Sequence, residues 1–244
     1  MTDWTLDQMK VLTTKSGCRI LQILSGRSNV FLITNGKKNI LIDTSPENKW
    51  KKLEKKLNDL NINNIDFLIL THTHFDHAAN AYRIKKKYNA QVFVHETEAS
   101  YLTSGKNIIP NGTNLITRTL INLFANSVFP GLNYEPCQPD ILVNSSFNLK
   151  EFGFEAYIIH TPGHTTGSMS IVVDNEVALV GDTMFGMSKW SVFPPYANDV
   201  KQMVKSWGIL LDTNCSVFIP SHGSANSRSL LQNDYDKRNY EYPE

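Results

Sequence analysis

The stretch Thr71-His72-Thr73-His74-Phe75-Asp76-His77-Ala78 packs three histidines and one aspartate into six consecutive positions, His72 to His77. The apolar run Ile65 to Leu70 in front of it reads as a buried strand, entered through a turn signal at Asn61 to Asn64. If the backbone stays extended past that strand, His72, His74 and Asp76 point to one side, because extended chain alternates with period two. His77 breaks the alternation where Ala78-Ala79-Asn80-Ala81 begins a helix former. One extended pair and one turn pair make two adjacent clusters of ligands. Imidazole and carboxylate suit zinc and its first-row neighbours. A polar loop with solvated histidines is the alternative, but the chain holds only seven histidines, and three at this spacing favour a metal.

His72-x-His74-x-Asp76-His77 resembles the signature of the metallo-β-lactamase superfamily. The resemblance implies an α/β (α+β) fold, a four-layer αββα sandwich of two sheets flanked by helices. It also implies two divalent metal ions, zinc first, with iron or manganese as alternatives.

Working outward, Arg19 to Leu24 and Asn29 to Thr34 read as strands, Asn35-Gly36 as a hairpin turn, and Asn39 to Asp43 as the return. Ser45-Pro46 looks like a helix N-cap with proline at the first position. The helix then runs to about Leu60, with Trp50, Leu53, Leu57 and Leu60 on one face. A second helix is expected from about Ala78 to Tyr88, and a short strand at Gln91 to Val94. Later come strands at Ile141 to Val143 and Phe154 to His160, a hairpin around Asp174-Asn175, a helix near Asp199 to Leu211 and a strand at Ser216 to Ile219. The tail after Leu231 is polar. The two halves repeat an order, hairpin, helix and strand, ending first at His72 and then at His222. Two such units packed sheet on sheet give an αββα sandwich.

The expected organisation is one domain over residues 1–244 with a helical insertion at about 96–140. Ile116, Leu120, Leu123 and Phe124 sit at helical spacing there. They form either a wall over the site or a core-packing helix.

Three further pieces bring ligand-type residues to strand ends: Thr161-Pro-Gly-His164, Gly181-Asp182-Thr183 and Pro220-Ser-His222-Gly223. By resemblance, the first metal takes His72, His74 and His164, the second takes Asp76, His77 and His222, and Asp182 bridges them. Asp76 is also the candidate catalytic carboxylate. Asp43 and His160 are candidates for supporting contacts behind the ligands, and Phe124, Phe185 and Tyr196 for the substrate pocket. His95 reads as structural or at the cleft rim.

The resemblance implies a hydrolase in which a metal-bridging hydroxide cleaves a small ester, thioester, lactone or amide. Two divalent ions less two carboxylates and one hydroxide leave a cationic cluster that stabilises an oxyanion. The aspartate at 182, where many zinc β-lactamases carry a cysteine, is similar to glyoxalase II and lactonases. Lactonases of this type place a tyrosine soon after the bridging aspartate; here Met184 and Phe185 follow. The alternatives are a mononuclear-iron redox enzyme similar to persulfide dioxygenases, and a phosphodiesterase. A net charge of +1 gives bulk electrostatics no preference for nucleic acid or a membrane surface. The expected partner is therefore a small-molecule substrate. Three scattered cysteines, Cys18, Cys137 and Cys215, make no disulfide framework and point to a cytoplasmic setting.

Overall fold

The computed structural model describes residues 11–108, 110–128 and 132–241. Seven strands form the first sheet in chain order: β1 (Val11–Thr13), β2 (Arg19–Leu24), β3 (Val30–Thr34), β4 (Asn39–Ile42), β5 (Phe67–Ile69), β6 (Gln91–His95) and β7 (Ile141–Val143). Pairing is antiparallel from β1 to β4 and parallel from β4 to β7. The switch follows from the connections. Asn35-Gly36 closes β3 onto β4 in a tight turn, with Asn35 Oδ1 accepting from Lys37 and Lys38 N–H at 3.0 and 2.8 Å. The later strands are joined through helices, which return the chain in the same direction. These helices are α1 (Trp50–Asp59), α2 (Phe75–Ala78) with α3 (Ala81–Tyr88), and α4 (Ala99–Ser104) with α5 (Leu115–Val128).

The second sheet contains β8 (Ser146–Asn148), β9 (Ala156–His160), β10 (Met169–Val173), β11 (Val177–Gly181), β12 (Val217–Pro220) and β13 (Asn226–Ser227). Its order is β13-β12-β11-β10-β9-β8. α6 (Val200–Asp212) joins β11 to β12, and α7 (Arg228–Glu241) follows β13. The repeat expected from the sequence is present as topology. β3, β4, α1 and β5 run hairpin, helix, parallel strand, and β10, β11, α6 and β12 do the same.

Strand periodicity sorts the core into three apolar layers. Ile33, Ile40, Ile42 and Phe93 of the first sheet meet Ile171, Val173 and Leu179 of the second. The alternate residues Leu32, Leu41, Leu68 and Val92 face Leu53 and Leu57 of α1 and Ile84 of α3. Val172, Ala178 and Val180 face Met203, Trp207 and Leu210 of α6. The result is helix, sheet, sheet, helix: an αββα sandwich.

Several local expectations shift. Ser45 is not the helix cap. It takes a left-handed φ of +64°, and Asn80 Nδ2 donates to the carbonyls of Thr44, Ser45 and Pro46 at 3.0–3.1 Å. A 3-10 turn at Glu47–Lys49 then precedes α1. The strand placed at Ile65 to Leu70 is shorter, Phe67–Ile69. The polar tail is helix α7, anchored by buried Leu231 and by Asp234, which accepts from Val192 N–H at 2.7 Å. Ile116 and Leu123 on α5 are exposed at 73% and 67%, so they are not core. The side chain of Phe124 lies outside the described residues. The three cysteines are buried and free. No helix among the described residues is long and apolar enough to cross a membrane.

Candidate metal centre

Parallel strands in adjacent positions end on one edge, and the candidate ligands collect there. β5 leads into Thr71 and His72. β11 ends at Gly181 before Asp182, and β12 ends at Pro220, two residues before His222. The β9–β10 connection carries His164. Gly181 has a φ of +54°, and a Cβ there would lie 2.7 Å from Thr71 Cβ. Glycine thus lets the second sheet bring Asp182 directly against the loop of the first.

The imidazoles converge. His72 Nε2 and His164 Nε2 lie 2.9 and 3.1 Å from His74 Nδ1. His77 Nε2 lies 3.6 Å from Asp182 Oδ1 and 3.8 Å from Asp76 Oδ1. His222 Nε2 lies 3.1 Å from Asp182 Oδ2 and 3.9 Å from Asp76 Oδ2, and His164 Nε2 lies 3.5 Å from Asp182 Oδ2. Asp182 therefore stands between two groups, His72/His74/His164 and Asp76/His77/His222, and each group has its ligand atoms close enough together to hold one ion.

The donor set fits divalent metal. Two ring nitrogens crowd one ring nitrogen of His74, an arrangement that neutral imidazoles satisfy poorly with each other but well around a cation. His74 Nε2, His77 Nε2 and Asp182 Oδ1 are buried with no hydrogen-bond partner among the described residues. Such buried orphans are rare in folded proteins and ask for a partner.

The far sides of the rings are held by protein. His77 Nδ1 donates to Asp43 Oδ2 at 2.8 Å. Thr71 Oγ1 donates to the same oxygen at 2.8 Å and sits 3.1 Å from His72 Nδ1. Asp43 Oδ1 accepts from Thr71 N–H at 2.8 Å, and Ser221 Oγ donates to Oδ2 at 3.2 Å. One buried carboxylate, held at a left-handed φ of +60°, therefore orients His77 directly and His72 through a threonine. His164 Nδ1 donates to the Tyr196 carbonyl at 2.9 Å.

Charge follows the same division. Burial lowers the proton affinity of His72, His74 and His164, and the neighbouring imidazoles lower it further at His72 and His74. Burial also opposes charge at His77 and His222, but Asp182 outweighs it, with Asp43 adding at His77, and both are raised. Burial pushes Asp182 up, yet His222 and His77 hold it well below the usual carboxylate range. Metal bound there would displace protons, because imidazole and carboxylate must be deprotonated to coordinate.

The cluster opens into a cleft of about 700 Å³. Phe185 and Tyr196 line it as expected, and the Phe185 ring lies 4.5 Å from that of His222. Ile108, Pro110 and Ile121 bring the 96–140 segment to its wall, whereas Ile116, Leu120 and Leu123 do not line it. His160 is not among the converging ligands. It stacks on His95 at 4.0 Å, and its Nε2 lies 2.8 Å from the Thr166 carbonyl. His95 is buried and is not at the cleft rim.

The loop before β3 also belongs to the site, and Asn29, expected to open the strand, lies in it. Ser28 Oγ donates to the Asp76 carbonyl. Asn29 Nδ2 donates to the Pro220 and Gly223 carbonyls at 3.1 and 3.0 Å, and Asn29 N–H to Ser221 O at 2.7 Å. The loop thus staples both halves of the site and sets Arg27 at the cleft mouth. Its only local signal was a Gly-Arg-Ser-Asn run, which reads as any polar turn.

A family model of the metallo-β-lactamase superfamily matches residues 25–222, which span the whole cluster. The chain belongs to the metallo-β-lactamase superfamily. Members of this superfamily are generally hydrolases built around a metal site. A probable metallo-hydrolase of Methanocaldococcus jannaschii is 33% identical over 207 residues, covering 82% of this chain and 90% of the relative. A hydroxyacylglutathione hydrolase of Haemophilus influenzae is 26% identical over 168 residues, covering 68% and 71%. Among solved structures, a metallo-β-lactamase family protein of Thermus thermophilus superposes with a TM-score of 0.65 at 19% identity, covering 88% of this chain and 74% of that one. At that identity the likeness speaks for the superfamily fold alone.

Proposed function

We propose that this chain is a dinuclear zinc hydrolase of a small ester, thioester, lactone or amide. One observation carries the reading: two groups of ligand-type atoms flank Asp182, 3.1–3.6 Å from His77, His164 and His222, and face a single cleft. His72, His74 and His164 would hold one ion, and Asp76, His77 and His222 the other. A bound divalent pair supplies Lewis acidity and a water acidified to a pKa of about 7.

The protein's own groups do the rest. Asp43 and the Tyr196 carbonyl keep the rings of His77 and His164 in fixed orientation. Asp182 lies within 3.1–3.6 Å of His77, His164 and His222, where it neutralises charge from both sides. Asp76 lines the cleft beside His222, where its carboxylate would face the bound ion. Ile108, Ile121 and Phe185 form an apolar wall that holds an acyl or ring portion and excludes water.

Arg27 refines the substrate. Its guanidinium lies 5.0 Å over the Phe75 ring, 3.8 Å from Asp76 Oδ2, with the side chain 64% exposed. Stacking of this kind pre-orients the planar fork for a carboxylate. The reading favours a substrate with an apolar portion and an anionic group near the scissile carbonyl. The Haemophilus influenzae relative's name brings acylglutathione thioesters into consideration.

The deciding experiment is metal analysis joined to a panel of thioester, lactone, β-lactam and phosphodiester substrates. Two equivalents of zinc with turnover of a carboxylic acid derivative is the expected result. One equivalent of iron, or turnover of the phosphodiester alone, would replace the proposal.

A further inference from the structure

Glu98 is fully buried, at the end of a 3-10 turn that follows β6. A carboxylate is costly to bury, and an apolar side chain would fill the same space more cheaply. Its contacts show what the carboxylate does there. Oε2 accepts from Thr73 N–H at 3.0 Å and from Thr73 Oγ1. Oε1 accepts from Gly167 N–H at 3.3 Å.

Those two partners lie on loops that leave different sheets. Thr73 is the link between His72 and His74, on the loop after β5. Gly167 lies three residues past His164, on the loop between β9 and β10. One carboxylate therefore ties together the two loops whose histidines make the first group, His72/His74/His164. The approach is close: a Cβ on Gly167 would come 2.3 Å from Glu98 Cγ. The remaining polar group of Thr73, its carbonyl, accepts from Tyr134 Oη at 2.7 Å, so every polar atom of Thr73 is held. Asp43 is the counterpart for the other group. It joins Thr71 and His77 of the first half to Ser221, the neighbour of His222.

We propose that Glu98 is a positioning residue for the first metal group: through Thr73 and Gly167 it sets the separation of His72 and His74 from His164. It touches neither substrate nor the candidate ligands' ring nitrogens. The inference rests on the metal reading of the cluster above, but not on any particular substrate.

Cobalt(II) is the probe, because its visible absorption reports both occupancy and coordination. Metal-free protein is titrated with cobalt in parallel with a thermal melt. Wild type should take up two equivalents. Glu98→Met, which fills the volume without acceptors, should lose about 10–100-fold in affinity for one equivalent only. The lost equivalent should match the one removed by His164→Ala and not the one removed by His222→Ala. Glu98→Gln keeps one acceptor oxygen for Thr73 and should recover part of that affinity. If Glu98→Met is insoluble, Glu98→Gln and Gly167→Ala carry the test, each with a selective loss at the same equivalent. A lower melting temperature with unchanged cobalt binding would overturn the proposal and leave Glu98 as a structural acid. No cobalt uptake by wild type would instead overturn the metal reading itself, and this inference with it.

Discussion

At the floor of the cleft, Thr71 to His74 are all buried, and Asp43 behind them accepts four hydrogen bonds, from Thr71 N–H, Thr71 Oγ1, His77 Nδ1 and Ser221 Oγ. At the mouth, α5 contributes Ile121 to the cleft, while its Leu115, Ile116 and Leu123 stand clear of it, 80%, 73% and 67% exposed. Elsewhere in the 96–140 segment the chain is tied to the floor: Glu98 accepts from Thr73, Tyr134 Oη donates to the Thr73 carbonyl, and Phe75 N–H donates to Asn107 Oδ1 at 2.9 Å. A site that orients reacting atoms needs the first kind of construction, since small displacements of ligands or reactants are costly. A wall that only selects among substrates tolerates the second. Substitutions at the floor should therefore change metal content and turnover together, while substitutions at the mouth should change selectivity alone.

The largest effect is expected at Asp182. Asp182→Asn replaces the charge shared by both groups with a neutral amide, a poorer ligand. Zinc content and kcat should fall together, by more than the 10–100-fold that loss of an outer partner costs. His164→Ala should behave similarly, whereas His160→Ala should keep its zinc, because His160 stacks on His95 and meets the Thr166 carbonyl rather than joining the ligand cluster. Plasma emission analysis of dialysed protein checks all three, and equal zinc loss in His160→Ala and His164→Ala would break the ligand assignment.

Next comes Asp43→Ala, which removes the acceptor from His77 Nδ1 and Thr71 Oγ1. Retention of zinc at the second group should drop by about 10–100-fold. Competition with a chromogenic chelator measures it. Undiminished retention would show that the histidine orientations are held by packing alone.

At the mouth, Arg27→Met should raise KM for an anionic substrate by about 10-fold, since a hydrogen bond to a charged group contributes about 1.5–3 kcal/mol. The KM of a neutral isostere and the zinc content should not move. If both substrates suffer equally, Arg27 serves the metal loop through Asp76 and not the substrate.

The smallest effects belong to α5. Ile121→Ala should raise KM for apolar acyl groups several-fold with kcat preserved, because Ile121 lines the cleft. Ile116→Ser, on the exposed face, should shift stability by no more than about 0.5 kcal/mol. Paired melts and kinetics test both, and a large melting shift for Ile116→Ser would mean that this face is covered.

Glu98 and Asp140 illustrate how little a sequence says about an acid on its own. Glu98 follows β6 and Asp140 precedes β7, and nothing in the neighbouring residues tells their burial apart. Glu98 is fully buried between two loops, while the Asp140 side chain is 32% exposed and pairs with Lys85 at 2.7 Å. Burial is decided by what packs on top, and for Glu98 that is Gly167, 69 residues away.

Local chemistry was enough for much of the rest. Strand periodicity separated Ile40 and Ile42 from Leu41 onto opposite faces, because adjacent side chains cannot share one face of extended chain. The Asn35-Gly36 turn, the order of hairpin, helix and strand in each half, and the spacing of His72, His74, Asp76 and His77 were all legible, since each depends on neighbours a few positions apart. Long-range closure decided the remainder. The place of Asp182 between two groups of histidines, the grip of Asp43 and Glu98 on the loops, the place of Arg27 at the mouth and the outward turn of Ile116 and Leu123 all depend on contacts between segments distant in the chain. Helical spacing shows that an apolar face exists, but only the packed sheets determine whether anything meets it.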